Sequence, residues 1–262
     1  MPFEHLRKTD EGPIATVTLA RPDAHNALNA DLIDELTRCF EELAEDEQTR
    51  VVVLAGEGRL FCAGADVGYM RETAGLSYEE NLEDARRLAM MFWTIDECPK
   101  PVVAKVQGAA MGGGAGLLAV ADVVVADSEA RFAFSEIRLG IAPATISPFV
   151  VRKIGVSHAR SLFVTGERFD AEMAREIGLV HKVVSSDGLD EAVEEKAGEL
   201  LAGGPVAQAT LKGLLRRLET TEPMEAPGLT ARVISELRTG EEGQEGMAAF
   251  LEKRAPRWRR ER

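Results

Sequence analysis

Apolar and polar positions alternate through Ile14–Leu19, the rhythm of a strand with one buried face. The run at 51–54 is instead continuously apolar, and 101–106, interrupted only by Lys105, and 123–126 look the same, which predicts strands buried on both faces. Between the first two, Leu32, Ile33, Leu36, Phe40 and Leu43 recur at the helical period, and Asn29 or Asp31 can cap that helix. A second helix is predicted over 78–96, with Leu82, Ala85, Leu88, Ala89 and Phe92 on one face. Strands alternating with helices predict an α/β architecture. From Asp187 the strand signal ends. Helical patterns follow at 189–201, 205–218, 229–237 and 246–253, separated by Gly203-Gly204, Glu222-Pro223 and Pro227-Gly228. Each carries an apolar stripe that needs burial, within the chain or in a partner subunit. No internal repeat or low-complexity tract interrupts the chain.

Composition narrows the function. With 262 residues the chain can bury one large core. Its 31 basic and 44 acidic residues give a formal net charge of −13, which repels nucleic acid and anionic lipid, so an anionic ligand must be held by local donors. No apolar run is long enough to span a membrane. The first ten positions include Glu4, Lys8 and Asp10, so they lack the apolar core of a secretory signal. Cys39, Cys62 and Cys98 are odd in number and widely spaced, which speaks against a disulfide framework and for a reducing cytoplasm. His5, His25, His158 and His181 do not fall at metal-ligand spacing, and no metal site is expected.

Three stretches could carry chemistry. Phe61-Cys62-Ala63-Gly64-Ala65-Asp66 follows a predicted strand, and its small residues leave main-chain N–H groups open to a ligand, or simply allow close packing. The second, residues 107–116, is rich in glycine and opens an apolar helix through Leu117, Leu118 and Val120. Unpaired N–H groups and the positive end of a helix dipole there can stabilise a developing oxyanion, although tight helix–strand packing uses the same glycines. It lacks the Lys-Ser/Thr of a phosphate loop, and it comes too late in the chain for a dinucleotide fingerprint. In the third, residues 132–140, Glu136 sits among apolar neighbours. Burial would raise its pKa toward neutrality, or a salt bridge to Arg131 or Arg138 would make it structural. No nucleophile elbow or Ser-His-Asp set is present.

Taken in order, these stretches resemble the enoyl-CoA hydratase/isomerase (crotonase) superfamily. The resemblance begins at Arg21-Pro22-Asp23-Ala24-His25-Asn26-Ala27-Leu28-Asn29, runs through 61–66, Gly112-Gly113-Gly114 and 134–140, and ends at 246–254. It implies a ββα spiral core at 1–195 that binds acyl-CoA, followed by a helical trimerisation region at 196–262. It further implies that the N–H groups of Ala65 and Gly113 hold the thioester oxygen as it gains enolate charge. Such a donor is typically worth about 3 to 4 kcal/mol of barrier. Ala24, His25, Ala27, Ala63, Asp66 and Val67 would line the CoA, with Gly112 and Gly116 beside the acyl group. Phe250 and Lys253 would reach the nucleotide of CoA, often from a neighbouring subunit of a homotrimer or dimer of trimers. The resemblance implies no metal and no cofactor beyond the coenzyme A of the substrate.

One position departs from the family pattern. Typical members carry two glutamates that address one water, one of them three residues after the oxyanion-hole glycine. Here that position is Gly116, and only Glu136 remains. The glycine is expected to leave space for a bulkier acyl group, an extra water or a substrate carboxylate, and Asp66 or Glu129 could compensate for the missing acid. Residues 135–151 are similar to methylglutaconyl-CoA and isohexenylglutaconyl-CoA hydratases. The resemblance therefore implies an enoyl-CoA hydratase. A Δ3-Δ2-enoyl-CoA isomerase working through one glutamate, or a non-catalytic acyl-CoA-binding homologue, are the alternatives.

Overall fold

The structure is a computed structural model that describes residues 3–259, so the outermost residues of the two expected regions, 1–2 and 260–262, lie outside it. The first hairpin is β1 (Leu6–Glu11) antiparallel to β2 (Ile14–Leu19). Helix α1 (Ala30–Glu45) follows, capped by Asn29, whose side chain accepts from Leu32 N–H; it buries the six apolar positions Leu32, Ile33, Leu36, Cys39, Phe40 and Leu43. Next come β3 (Val51–Gly56), the short α2 (Val67–Thr73) and α3 (Tyr78–Glu97). Ser77 and Glu80 close a reciprocal capping box at the start of α3. Only its last turns are buried, through Met91, Phe92 and Ile95; Leu82, expected on the inner face, is 38% exposed.

The chain continues with β4 (Val102–Val106), β5 (Ala109–Met111), α4 (Gly113–Val120), β6 (Val123–Asp127) and β7 (Arg131–Ala133). A 3-10 turn (Glu136–Leu139), α5 (Ser147–Thr165), β8 (Arg168–Asp170), α6 (Ala171–Glu176), β9 (Lys182–Val184) and α7 (Leu189–Ala202) follow. The main sheet has the order β1-β2-β3-β4-β6-β9, parallel except for its first pair. Its central strands explain their apolar runs. Val51, Val53, Val103 and Val125 pack against Leu189, Ala192, Val193 and Ala197 of α7. Val52, Leu54, Val102, Ala104, Val124 and Ala126 point the other way, into the main core with α1, α3, α4 and α5.

Three times the chain leaves a sheet strand, crosses to a second short layer and enters a helix. After β3, Cys62 bridges to Ala110 and the chain reaches α2. After β4 it forms β5 and then α4, and after β6 it forms β7 and then the 3-10 turn. The second layer, β5-β7-β8, brings the three crossings side by side. This is a ββα spiral.

The expected boundary at 195–196 falls within α7, which covers the sheet. The helices that bury little within the chain start later, at α8 (Pro205–Thr220), α9 (Ala226–Thr239) and α10 (Glu241–Glu252). Pro227 does not break α9 because it lies in the first turn, where its missing N–H has no helical partner. Among the described residues α8 buries no side chain, α9 only Val233 and α10 only Ala249. Charged contacts dock α8: Lys212 donates to Asp122 (2.6 Å) and to Lys100 O (3.0 Å), and Arg216 pairs with Glu97 (3.1 Å). No described helix is long and apolar enough to cross a membrane.

Candidate functional site

The site is assembled where the crossings meet, and the segment after β2 is its first part. His25 and Asn26 both adopt left-handed backbone, with φ of 54° and 55°. Asn tolerates this region better than most residues. Asn26 is completely buried and has its polar groups matched. Its Oδ1 accepts from Arg21 N–H (3.0 Å), and its Nδ2 donates to Glu57 O and Leu60 O (both 2.8 Å). The loop is thereby tied to the turn after β3. It then zips to the small-residue stretch: Ala63 N–H donates to His25 O (3.0 Å), Leu28 N–H to Gly64 O (2.7 Å) and Asp66 N–H to Leu28 O (2.9 Å). In such a parallel bridge, residues 64 and 66 supply the bonds to Leu28, so the N–H of Ala65 faces the opposite way. It meets no acceptor among the described residues, and Ala65 is exposed.

The glycine-rich stretch lies against this one. Cys62 N–H donates to Ala109 O (3.1 Å) and Met111 N–H to Cys62 O (3.0 Å). A Cβ on Gly64 would stand 2.8 Å from Met111 O, and one on Gly114 would stand 2.6 Å from Cys62 O, so both positions exclude any side chain. Gly112 turns the chain into α4 with φ 49° and ψ −119°, a conformation reserved for glycine. Gly113 is the first residue of α4, and its N–H has no helical acceptor. Ala65 and Gly113 thus come from two loops in direct contact, each with a free N–H.

Glu136 stands beside them. It opens the 3-10 turn, which Gly140 ends in left-handed backbone. A Cβ on Gly112 would lie 2.9 Å from Glu136 Oε1 and 3.4 Å from its Cδ, so the carboxylate lies against the α4 N-terminus. Its Oε2 is buried with no hydrogen-bond partner. Neither Arg131 nor Arg138 forms an ion pair with it; Arg131 donates to Glu129 O and Ala130 O (both 3.0 Å). Burial pushes the Glu136 carboxyl above its ordinary value, and a main-chain hydrogen bond partly opposes this. An unpaired acid held here is suited to moving a proton.

Several expected contacts take a different form. The space expected above Gly116 is filled: a Cβ there would stand 2.4 Å from Ile146 Cγ2 and 3.1 Å from Phe92 Cε1. Gly116 therefore offers no open surface, and Ile146 stands in its place. Asp66, expected beside CoA, has its carboxylate committed. It pairs with Arg21 (3.0 Å) and accepts from Gly68 N–H (2.7 Å) and Tyr69 N–H (3.3 Å) at the start of α2. Of the two acids that could compensate, Asp66 is thus held by other partners and Glu129 is exposed on the turn before β7. Ala24 and Ala63 are half-buried, Ala27 is buried, and His25 and Val67 are exposed around the same loops. Phe250 and Lys253 are not brought to this site within one chain. Gly246, midway along α10, lies against Trp258, whose carbonyl accepts from Arg50 (3.3 Å) just before β3, whereas the site follows the other end of that strand. Sequence reasoning assigned no role at the site to Arg21, Asn26, Phe92 or Ile146 individually. The signal for Asn26 was an Asn in a loop, able to take left-handed backbone. Among the described residues no cluster of three or more His, Cys, Asp or Glu could hold a metal ion.

Comparison with known proteins gives a consistent picture. A sequence profile of the enoyl-CoA hydratase/isomerase family matches residues 9–261. The short-chain-enoyl-CoA hydratase of Clostridium acetobutylicum is 33% identical over 250 residues, covering 93% of this chain and 93% of that protein. The crystal structure of an enoyl-CoA hydratase from Shewanella pealeana superposes with a TM-score of 0.94 at 39% identity, covering 98% of this chain and 96% of the other. Pseudomonas aeruginosa AtuE superposes with a TM-score of 0.94 at 36% identity, covering 98% and 100%.

Proposed function

The chain belongs to the enoyl-CoA hydratase/isomerase family, and we propose that it adds water across the α,β double bond of an acyl-CoA thioester, with Glu136 as proton carrier. The observation that carries the assignment of Glu136 is its half-buried carboxylate, with Oε2 free of any hydrogen-bond partner, lying against the α4 N-terminus. The thioester oxygen accepts from the N–H groups of Ala65 and Gly113. As a water oxygen bonds to the β-carbon, the Glu136 carboxylate takes one water proton. The double-bond electrons move toward the carbonyl, giving an enolate whose oxygen charge the two N–H groups stabilise. Protonated Glu136 then returns the proton to the α-carbon and is a carboxylate again. The sequence of steps uses neither metal nor redox group.

Binding extends along the loops at 24–27 and 63–67, where small and exposed residues leave room for pantetheine and adenine. The protein acts as a homotrimer or dimer of trimers in this reading. What supports that is the apolar surface the helical region leaves open, including Val206, Leu211, Leu215, Met247 and Leu251. Phe250, 83% exposed, and Lys253 would then meet the CoA of a neighbouring copy. A cytoplasmic location fits the three buried, unpaired thiols. The likeness of residues 135–151 to hydratases of branched or carboxylated acyl-CoAs extends the proposal to such substrates, with any carboxylate facing away from the apolar side chains over Gly116.

The test is turnover of 2-enoyl-CoAs in ¹⁸O-labelled water by the wild type and Glu136→Gln. The expected product is a 3-hydroxyacyl-CoA labelled at the β-carbon, with the variant slower by about 10²- to 10⁴-fold and thioester binding nearly intact. Migration of the double bond without ¹⁸O uptake would make the protein an isomerase. Binding with neither reaction would make it a carrier.

A further inference from the structure

The side chains that cover Gly116 form a wall one helical turn inward from the acid. Gly112 precedes α4 and Gly116 lies one turn into it, with Gly116 N–H donating to Gly112 O (3.0 Å). Within α4, Gly113 and Gly116 are three residues apart and lie on the same side of the helix. Glu136 lies against Gly112. Against Gly116 lies Ile146, with its Cγ2 2.4 Å and its Cβ 3.0 Å from where a side chain would start. Phe92 spans both turns: its Cε1 would be 3.1 Å from a Cβ on Gly116 and its Cζ 3.9 Å from one on Gly113. Leu28 Cδ1 closes the flank, 2.8 Å from a Cβ on Gly113. Ile146, Phe92 and Leu28 are all buried, with no polar atom among their side chains.

Ile146 also has a fixed origin. It is the residue immediately before α5, and the segment that leads to it starts at the 3-10 turn bearing Glu136, where Ile141 N–H donates to Glu136 O (3.3 Å). The acid and the wall are therefore carried by one short stretch of chain. A β-branched side chain in this position is stiff and cannot swing aside cheaply. A charged group placed against it would be desolvated without a partner.

We propose that Ile146 is the specificity-determining residue of the site: it limits the size of the acyl substituent on the α4 side of the reacting carbons and admits only compact, apolar groups there. The inference rests on the reading that Glu136 serves a thioester held by Ala65 and Gly113. Removing Ile146 carbons opens volume beside Gly116, and a pocket typically discriminates one methylene by about 10- to 200-fold.

The experiment compares wild type, Ile146→Val and Ile146→Ala on a series of 2-enoyl-CoAs that grow by one carbon at the β-carbon. In Ile146→Ala, the ratio of kcat/KM for a substrate one carbon larger than the best wild-type substrate, relative to that substrate, is expected to rise by about tenfold or more. Ile146→Val is expected to fall between and serves if the Ala variant folds poorly. An unchanged ratio in an active enzyme overturns the role of Ile146 and leaves the hydratase reading standing. A wild type inactive on the whole series overturns the reading itself, and the inference with it. A second readout checks the contact. Gly116→Ala should lower the melting temperature of the wild type and do so much less in the Ile146→Ala background; equal losses would place Ile146 elsewhere.

Discussion

Replacing Asn26 tests whether the loop after β2 holds the site together. Asn26→Ala removes three hydrogen bonds at once and leaves Arg21 N–H, Glu57 O and Leu60 O without their partner. At about 1 kcal/mol each the loss is near 3 kcal/mol. Alanine holds φ near 55° with the same Cβ that Asn26 carries, so the backbone cost of about 1 to 2 kcal/mol is common to both. The expected destabilisation is therefore about 3 kcal/mol, a large share of the roughly 5 to 15 kcal/mol typical of a folded domain. Urea unfolding followed by circular dichroism reads it directly. Asn26→Gly separates the two contributions, because glycine takes the left-handed backbone freely; it should lose less than Asn26→Ala, by about 1 to 2 kcal/mol. Asn26→Ala within 1 kcal/mol of wild type would refute the claim that this side chain anchors the loop. Equal losses in the Ala and Gly variants would refute the backbone part alone.

Other outcomes follow from the same geometry. Arg21→Gln releases the Asp66 carboxylate and the Ala27 carbonyl, both held by one guanidinium. It should lower kcat about ten- to hundredfold through misplacement of Ala65 while KM moves little, and steady-state kinetics showing a change in KM alone would contradict this. Burial raises the Glu136 pKa, and the reaction needs the carboxylate. The acid limb of kcat/KM should therefore lie above the ordinary glutamate value, with activity lost as pH falls through it; a limb below that value would contradict the assignment. A folded-state pKa raised above the unfolded one means that ionised Glu136 costs stability above its unfolded pKa. Glu136→Gln should accordingly raise the melting temperature at neutral pH, with the gain vanishing below that unfolded pKa. Burial pushes the Cys39 and Cys62 thiols up to about 12 and raises Cys98 as well, so Ellman's reagent should label none of them rapidly until denaturant is added.

The sequence made β2, β3, β4 and β6 legible because each is long enough for its apolar pattern to report which faces are buried. The Asn29 cap and the stripe of α1 were legible for the same reason. The strands β5, β7, β8 and β9 span three residues each, too few to display a period, and their existence depends on partners distant in the chain. In β1 only Leu6 is buried while its other five positions are polar, so it reads as a loop until β2 pairs with it. The periodic stripe of α3 misleads near its start because Leu82 stays 38% exposed. At the site, the glycines and Glu136 could be picked out by residue type, since glycine constrains backbone and an acid among apolar neighbours is conspicuous. Ile146 over Gly116 could not. A contact between two apolar positions thirty residues apart leaves no mark on either one, which is why an empty slot was expected where the structure has a wall.

The most direct test of the account is a crystal structure of Glu136→Gln with a 2-enoyl-CoA bound. The thioester oxygen should lie about 2.7 to 3.1 Å from both the Ala65 and Gly113 nitrogens, with the substituted side-chain amide facing the α- and β-carbons. A thioester oxygen bonded to neither nitrogen, or an acyl chain that bypasses position 136, would contradict it.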